Sequence, residues 1–202
     1  MFKPGQNSSR YAMSFTSGAL LYKESILMAE VYLTHNSWEA VRLHAIETNI
    51  LQTRSSSSLK RLTHEVISRL KHLSAAELVS LTTLSTQDQK NLLWIAICRR
   101  YRFIADFALE VLHERYVTLK QDLSPEHFDI FYNRKAEWHP ELDHIAATTR
   151  QKLRQVVFKM MQQADLINAH HQIIPAYLST ALTQRIINRN ELMWFPVFEV
   201  EI

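Results

Sequence analysis

Only two glycines, Gly5 and Gly18, occur in this chain of 202 residues. Sheets joined by tight turns draw heavily on glycine, because their commonest hairpin turns need positive φ. Average usage is about 7% glycine and about 5% proline, and the five prolines here are also few. The chain therefore reads as helices joined by short polar caps, an all-α fold. Hydrophobic residues make up 47% and charged residues 21%, which is ample core material. The length suits one compact domain, or two small ones that share an interface.

Capping signals divide the chain. Residues 1–17 are polar and poorly patterned, and their first part reads as mobile. A helix is expected after Gly18, running to about Leu33. Ser37 can cap a second, from Trp38 to near Asn49. Ser55-Ser56-Ser57-Ser58 reads as a loop plus a cap. In the helix that follows, Leu59, Leu62, Val66, Ile67, Leu70 and Leu73 form one stripe at helical period, with Lys60, Arg61, His64, Ser68 and Lys71 opposite. Ser74 and Glu77 have capping-box spacing, and Ser85 with Asp88 marks another start. The run Leu92-Leu93-Trp94-Ile95-Ala96-Ile97 is apolar on every side, as a central helix is. Helical pattern resumes from Tyr101 to about Leu119. Ser124-Pro125-Glu126 is a strong start signal, and a domain boundary falls just before it, giving regions 1–121 and 122–202. Pro140 opens a short helix, and a long helix covers about Thr148 to Ala164. Leu166 to Ile174 is β-prone. Ser179 can cap a last helix to about Asn188. The apolar tail Trp194 to Val200 suits an edge strand.

Several chemistries lack their residues. Cys98 stands alone, so no intrachain disulfide forms, and its apolar setting makes it an inert buried thiol rather than a nucleophile. Ten histidines raise the question of metal. Yet Glu137, His139, Asp143, His144, His170 and His171 match no zinc spacing, and no metal site is expected. Without a glycine-rich loop there is no P-loop, dinucleotide fingerprint or GxSxG elbow, so no cofactor and no catalytic residue is assigned. Trp94, Trp138 and Trp194 read as core anchors. The longest strongly apolar stretch, Leu92 to Cys98, falls far short of the roughly 20 residues that span a bilayer. A cytoplasmic protein without membrane insertion is expected.

The net charge of +3 is a mild basic bias. Its distribution is more telling. Residues 1–120 hold fifteen Lys/Arg and ten Asp/Glu, whereas residues 121–202 hold eight and ten. Two helical faces nevertheless stand out as candidates for phosphate contact. The first carries Lys60, Arg61 and Lys71, with Arg54 just before it. The second lies on the helix 148–164, within an interval free of acid from Asp143 to Asp165. It carries Arg150, Lys152, Arg154 and Lys159 above a buried stripe of Leu153, Val156, Val157, Met160 and Ala164. Gln155 on the same helix is of a type that pairs with base edges, as Lys and Arg pair with phosphates or guanine. The layout of residues 125–174 suits a winged helix, a helix-turn-helix variant whose last helix enters the major groove. A small β-hairpin with His170 and His171 near its tip would be the wing. Solvated surface is the competing reading of both faces. Arg99, Arg100 and Arg102 form a third cluster, open to internal pairing with Asp106, Glu110 or Glu114, to an interdomain contact, or to nucleic acid.

Three strings carry a family resemblance: Tyr11-Ala12-Met13-Ser14-Phe15; Leu93-Trp94-Ile95-Ala96-Ile97-Cys98-Arg99-Arg100-Tyr101-Arg102-Phe103-Ile104; and Lys135-Ala136-Glu137-Trp138-His139-Pro140-Glu141-Leu142, followed by Thr149-Arg150-Gln151-Lys152-Leu153-Arg154. Together, in order and over nearly the whole chain, they resemble the BrxA family of the BREX (bacteriophage exclusion) systems of bacteria. The resemblance implies a small non-enzymatic partner of larger methyltransferase, ATPase and phosphatase-like BREX components. It also implies a NusB-like helical bundle, and double-stranded DNA as the expected ligand. The family has carried an inner-membrane label, to which this sequence gives no support. Two other functions stay open: a protein–protein adaptor that docks larger BREX components, and an RNA-binding NusB-like module. The oligomeric state is not legible.

Overall fold

Serine side chains cap four of the first five helix starts. The computed structural model of the chain describes residues 10–16, 18–186 and 188–197. Helix α1 spans Tyr22–His35 and ends on Asn36, whose φ of 49° lies in the left-handed region. Ser37 then caps α2 (Trp38–Thr48) by accepting from the Ala40 N–H. Ser55 caps α3 (Ser56–Leu70) through the Ser58 N–H. Ser74 and Glu77 form the reciprocal box that opens α4 (Ala75–Thr83), and Ser85 accepts from the Asp88 N–H to open α5 (Thr86–Arg100). Each of these starts was legible, because a short hydroxyl side chain satisfies N–H groups that a helix start leaves bare.

Helix α5 is the centre of the molecule. Residues Leu92 to Cys98 are all buried, and the Trp94 indole N–H donates to the Trp194 carbonyl at 2.9 Å. After α5 the expected single helix to Leu119 is subdivided. Helix α6 (Arg102–Phe107) passes into a π-helical turn, Ala108–His113, and then into α7 (Glu114–Val117). The wider turn brings Val111, Leu112 and His113 to the buried side together. His113 Nδ1 lies 2.8 Å from the Phe195 carbonyl oxygen and so holds the backbone at Phe195 against this turn.

Helix α8 (Pro125–Ala136) begins at Ser124, whose backbone N–H donates to His127 Nδ1 at 3.0 Å. Phe128 and Phe131 of α8 meet Phe103 and Phe107 of α6 at centroid distances of 5.2–5.8 Å. Burying one such ring contributes about 1.5–3 kcal/mol. Helices α9 (Pro140–Asp143) and α10 (Ala147–Gln163) follow. One hydrophobic cluster extends from Tyr11 to Phe195, with members on both sides of Gln121.

Five further expectations change. Helix α1 starts at Tyr22 and not directly after Gly18, because Leu21 adopts φ 55° and ψ 45°, a left-handed conformation that interrupts the helix. The β-prone stretch forms no strand among the described residues, only two isolated antiparallel bridges, Asp122 with Gln172 and Ile167 with Ile173. Its Asn168 carboxamide accepts from the backbone N–H groups of His170 and Gln172, at 2.8 and 2.9 Å, and so competes with a ladder. The helix that Ser179 caps is only Thr180–Thr183, named α11. The tail runs through a 3-10 turn, Arg189–Trp194, and Phe195 to Val197 form no strand. The rest of the expected edge strand, residues 198–200, lies outside the described residues. Trp138, expected in the core, is 76% exposed.

Candidate nucleic-acid interface

On α3, Arg61 stands about 100° around the axis from Lys60, and Lys71 shares the Lys60 side. That difference decides where each points. Arg61 lines an open cleft of about 890 Å³, together with Lys23 of α1, Lys90 of α5, and Lys152 and Lys159 of α10. Lys60, Lys71 and Arg54 are exposed but lie outside this lining. One member of the first basic face read from the sequence, Arg61, and two of the second, Lys152 and Lys159, thus reach the same cleft.

The cations of α10 fall into two groups. Arg150 is held by α8: Nη1 donates to Asn133 Oδ1 at 2.8 Å, Nη2 to the Asp129 carbonyl at 3.0 Å, and the guanidinium sits 4.3 Å from the Tyr132 ring centre. Arg154 donates to the Asp129 carboxylate. These two arginines tie α10 to α8. Lys152 and Lys159 are exposed in the cleft, and Gln155 is exposed outside its lining. Two acidic residues, Glu24 and Asp165, also line the cleft, and Lys90 pairs with Asp165 at 2.6 Å. No acidic partner is found among the described residues for Lys23, Arg61, Lys152 or Lys159.

The segment before α1 forms one wall, and a buried polar network holds it. Arg69, 2% exposed, donates from Nη1 to the Ala19 carbonyl at 2.7 Å and from Nε to Glu65 at 2.7 Å. Tyr101 donates to both Glu65 carboxylate oxygens, at 2.7 and 2.9 Å. Burial, the Glu65 charge and that hydrogen bond push the Tyr101 phenol up to about 12. From the opposite side, Gln163 of α10 accepts from the Leu20 N–H at 2.8 Å. Further upstream, Tyr11 donates from its backbone N–H to Glu141 at 2.7 Å and from its hydroxyl to Asp106 at 2.5 Å. Sequence reading missed Lys23, Lys90, Arg69 and Gln163. Arg69 did leave a trace: at 100° per residue it falls beside Leu62, inside the apolar stripe of α3.

The third arginine cluster is mainly structural. Arg99 donates to Glu77 from both terminal nitrogens, at 2.8 and 2.7 Å, and to Glu191 from Nη2 and Nε, at 2.8 and 2.9 Å. These partners differ from the acids near it in sequence. Burial alone would raise the Glu77 pKa, but the hydrogen bonds from Arg99 and Ser74 outweigh it and hold the carboxyl below its ordinary value. Arg100 lies 4.9 Å from the Tyr101 ring centre. Arg102 is 3.8 Å from Asp106, as its i,i+4 spacing suggested.

Cys98 is fully buried, and burial pushes its thiol well above the ordinary range. No group of three or more His, Cys, Asp or Glu side chains is placed to hold a metal ion among the described residues. Within the same residues, no helix is long and apolar enough to cross a membrane.

The family model for BrxA matches residues 9–190. The chain belongs to the BrxA family. The family is a component of BREX phage-defence systems. The BREX protein BrxA of Escherichia coli O9:H4 (strain HS) is 23% identical over 163 residues, 81% of this chain and 76% of that protein. The BREX protein BrxA of Bacillus cereus (strain H3081.97) is 26% identical over 127 residues, 63% of this chain and 64% of that protein. The fold is also similar to a crystal structure of an uncharacterized protein from Magnetospirillum magneticum, with a TM-score of 0.78 at 20% identity. That match covers 92% of this chain and 96% of the other. This BrxA-family chain thus carries Lys23, Lys152 and Lys159, which have no acidic partner among the described residues, on helices that are fixed to the core.

Proposed function

We propose that the protein is a non-enzymatic, DNA-binding component of a BREX system, and that the basic cleft holds the phosphate backbone of duplex DNA. One observation carries the reading: Lys23, Arg61, Lys152 and Lys159 converge from three helices on one open cleft, with no acidic partner of their own among the described residues. Cations with internal partners, such as Arg99 and Arg150, are explained by packing. These four are not. An unneutralised cluster raises the local concentration of polyanions and gives contacts that do not depend on sequence. A DNA ligand goes with a cytoplasmic location. A mobility shift of duplex DNA over a salt series tests the reading. Binding that weakens steeply with salt is expected, because phosphate contacts release counterions. Salt-insensitive binding, or none at low salt, would sink it. Competition with structured RNA separates DNA preference from an RNA-binding role.

A second reading, docking to larger BREX components, draws on Trp138 and Ile130, which are 76% and 66% exposed at one end of and along α8. Exposed aromatics of this kind are enriched at protein interfaces. A pulldown in the presence of nuclease separates the two. A partner retained after nuclease favours docking, and a partner lost favours bridging by DNA.

A further inference from the structure

The first turn of α1 opens into the same cleft: Leu20, Leu21, Tyr22, Lys23 and Glu24 all line it. Leu21 precedes the helix in a left-handed conformation and supplies no side-chain cap. The backbone ladder begins with the Ser25 N–H donating to the Leu21 carbonyl at 2.9 Å, and the Tyr22, Lys23 and Glu24 N–H groups ahead of it have no acceptor among the described residues. Four other starts are closed by serine, at Ser37, Ser55, Ser74 and Ser85, whereas α10 begins, like α1, without a side-chain cap. A bare start concentrates partial positive charge and suits an anion. A second feature points the same way. Arg69 is almost fully buried, yet its Nη2 has no hydrogen-bond partner among the described residues. That nitrogen lies 3.4 Å from the point where a Cβ on Gly18 would stand, and Gly18 itself lines the cleft at φ 129°. An unsatisfied buried guanidinium nitrogen is costly, and it lies against the one cleft position without a side chain.

We infer that the start of α1, framed by Lys23, Arg61 and the Gly18 gap over Arg69, is a seat for a single phosphate group. The inference rests on the cleft being the DNA site: the seat fixes one backbone phosphate, while Lys152 and Lys159 hold its neighbours loosely. Arg69 acts as a positioning residue, since its hold on the Ala19 carbonyl sets where the α1 start points.

The test uses the full chain labelled with nitrogen-15, titrated with inorganic phosphate at constant ionic strength against chloride. Saturable shifts of the Tyr22, Lys23 and Glu24 amides and of the Arg69 guanidinium signals are expected. Substituting Arg61→Gln should move the midpoint to higher phosphate. Shifts no larger than those with chloride, or confined to lysine side chains, overturn the seat. A duplex oligonucleotide is then added in place of phosphate. Duplex binding that moves the same amides supports the seat. Duplex binding that leaves them still overturns the seat while sparing the cleft reading. Saturable phosphate shifts without any duplex binding uphold the seat and remove the cleft's role in DNA binding.

Discussion

Replacing Lys152 and Lys159 together by alanine should halve the salt dependence of DNA binding without loosening the fold. Both side chains are exposed in the cleft, so their removal leaves no buried group unpaired. Four cleft cations that each neutralise one phosphate give a slope of log affinity on log salt of about −3.6, and two give about −1.8. Between 50 and 200 mM salt, those slopes correspond to affinity losses of about 150-fold for the parent and about 12-fold for the double variant. Fluorescence anisotropy of a labelled duplex over that range reads both slopes. Arg150→Ala supplies the contrast. Its guanidinium is engaged by Asp129 and Asn133, so the slope should stay near that of the parent. A double variant with the parent's slope, or an Arg150 variant with the larger effect, would refute the division of α10 into cleft-facing and α8-facing cations.

Other consequences concern the fold. Arg99→Met leaves Glu77 and Glu191 without their shared cation and should destabilise the protein by about 3–5 kcal/mol, as breaking a buried pair does; chemical denaturation measures it, and a loss under about 1 kcal/mol would contradict a structural role. Glu77 has a depressed folded-state pKa, so its contribution is complete above the ordinary carboxylate range and is lost as pH falls through the lowered value. Thermal melts should therefore show an acid-side fall in stability that Glu77→Gln flattens, and an unchanged fall would assign it to other carboxylates. Trp138→Ala should change stability by no more than about 0.5 kcal/mol, as expected for an exposed side chain, and a larger loss on denaturation would show that the ring supports packing.

How much of this was legible in sequence depended on the range of the interactions. The scarcity of glycine gave the all-α class, and serine caps gave the starts of α2 to α5, because both are local. The burial of Trp94 followed from an unbroken apolar run. The stripe of α10 was also correct, since Leu153, Val156, Val157 and Met160 are buried. Pairing across the fold was not legible. Asp129 lies on a different helix from Arg150 and Arg154, and nothing local links them. Lys23 and Lys90 were passed over because neither has another Lys or Arg within a turn of it on its helix, and only the fold brings them beside Arg61. The start of α1 was misplaced because a left-handed Leu21 has no sequence signature comparable to that of glycine. The β-propensity of residues 166–174 was real but lost to the Asn168 side chain. Trp138 looked like a core residue by type, and the end of α8 leaves it outside.

The central claim is that one cleft, built from two separately legible basic faces, holds DNA. Lysine acetylation footprinting with and without a duplex tests it most directly, read by mass spectrometry residue by residue. Lys23, Lys152 and Lys159 should be protected by DNA, while Lys60, Lys71 and Lys120 stay reactive. Protection confined to Lys60 and Lys71, or no protection at DNA concentrations that saturate binding, would contradict it.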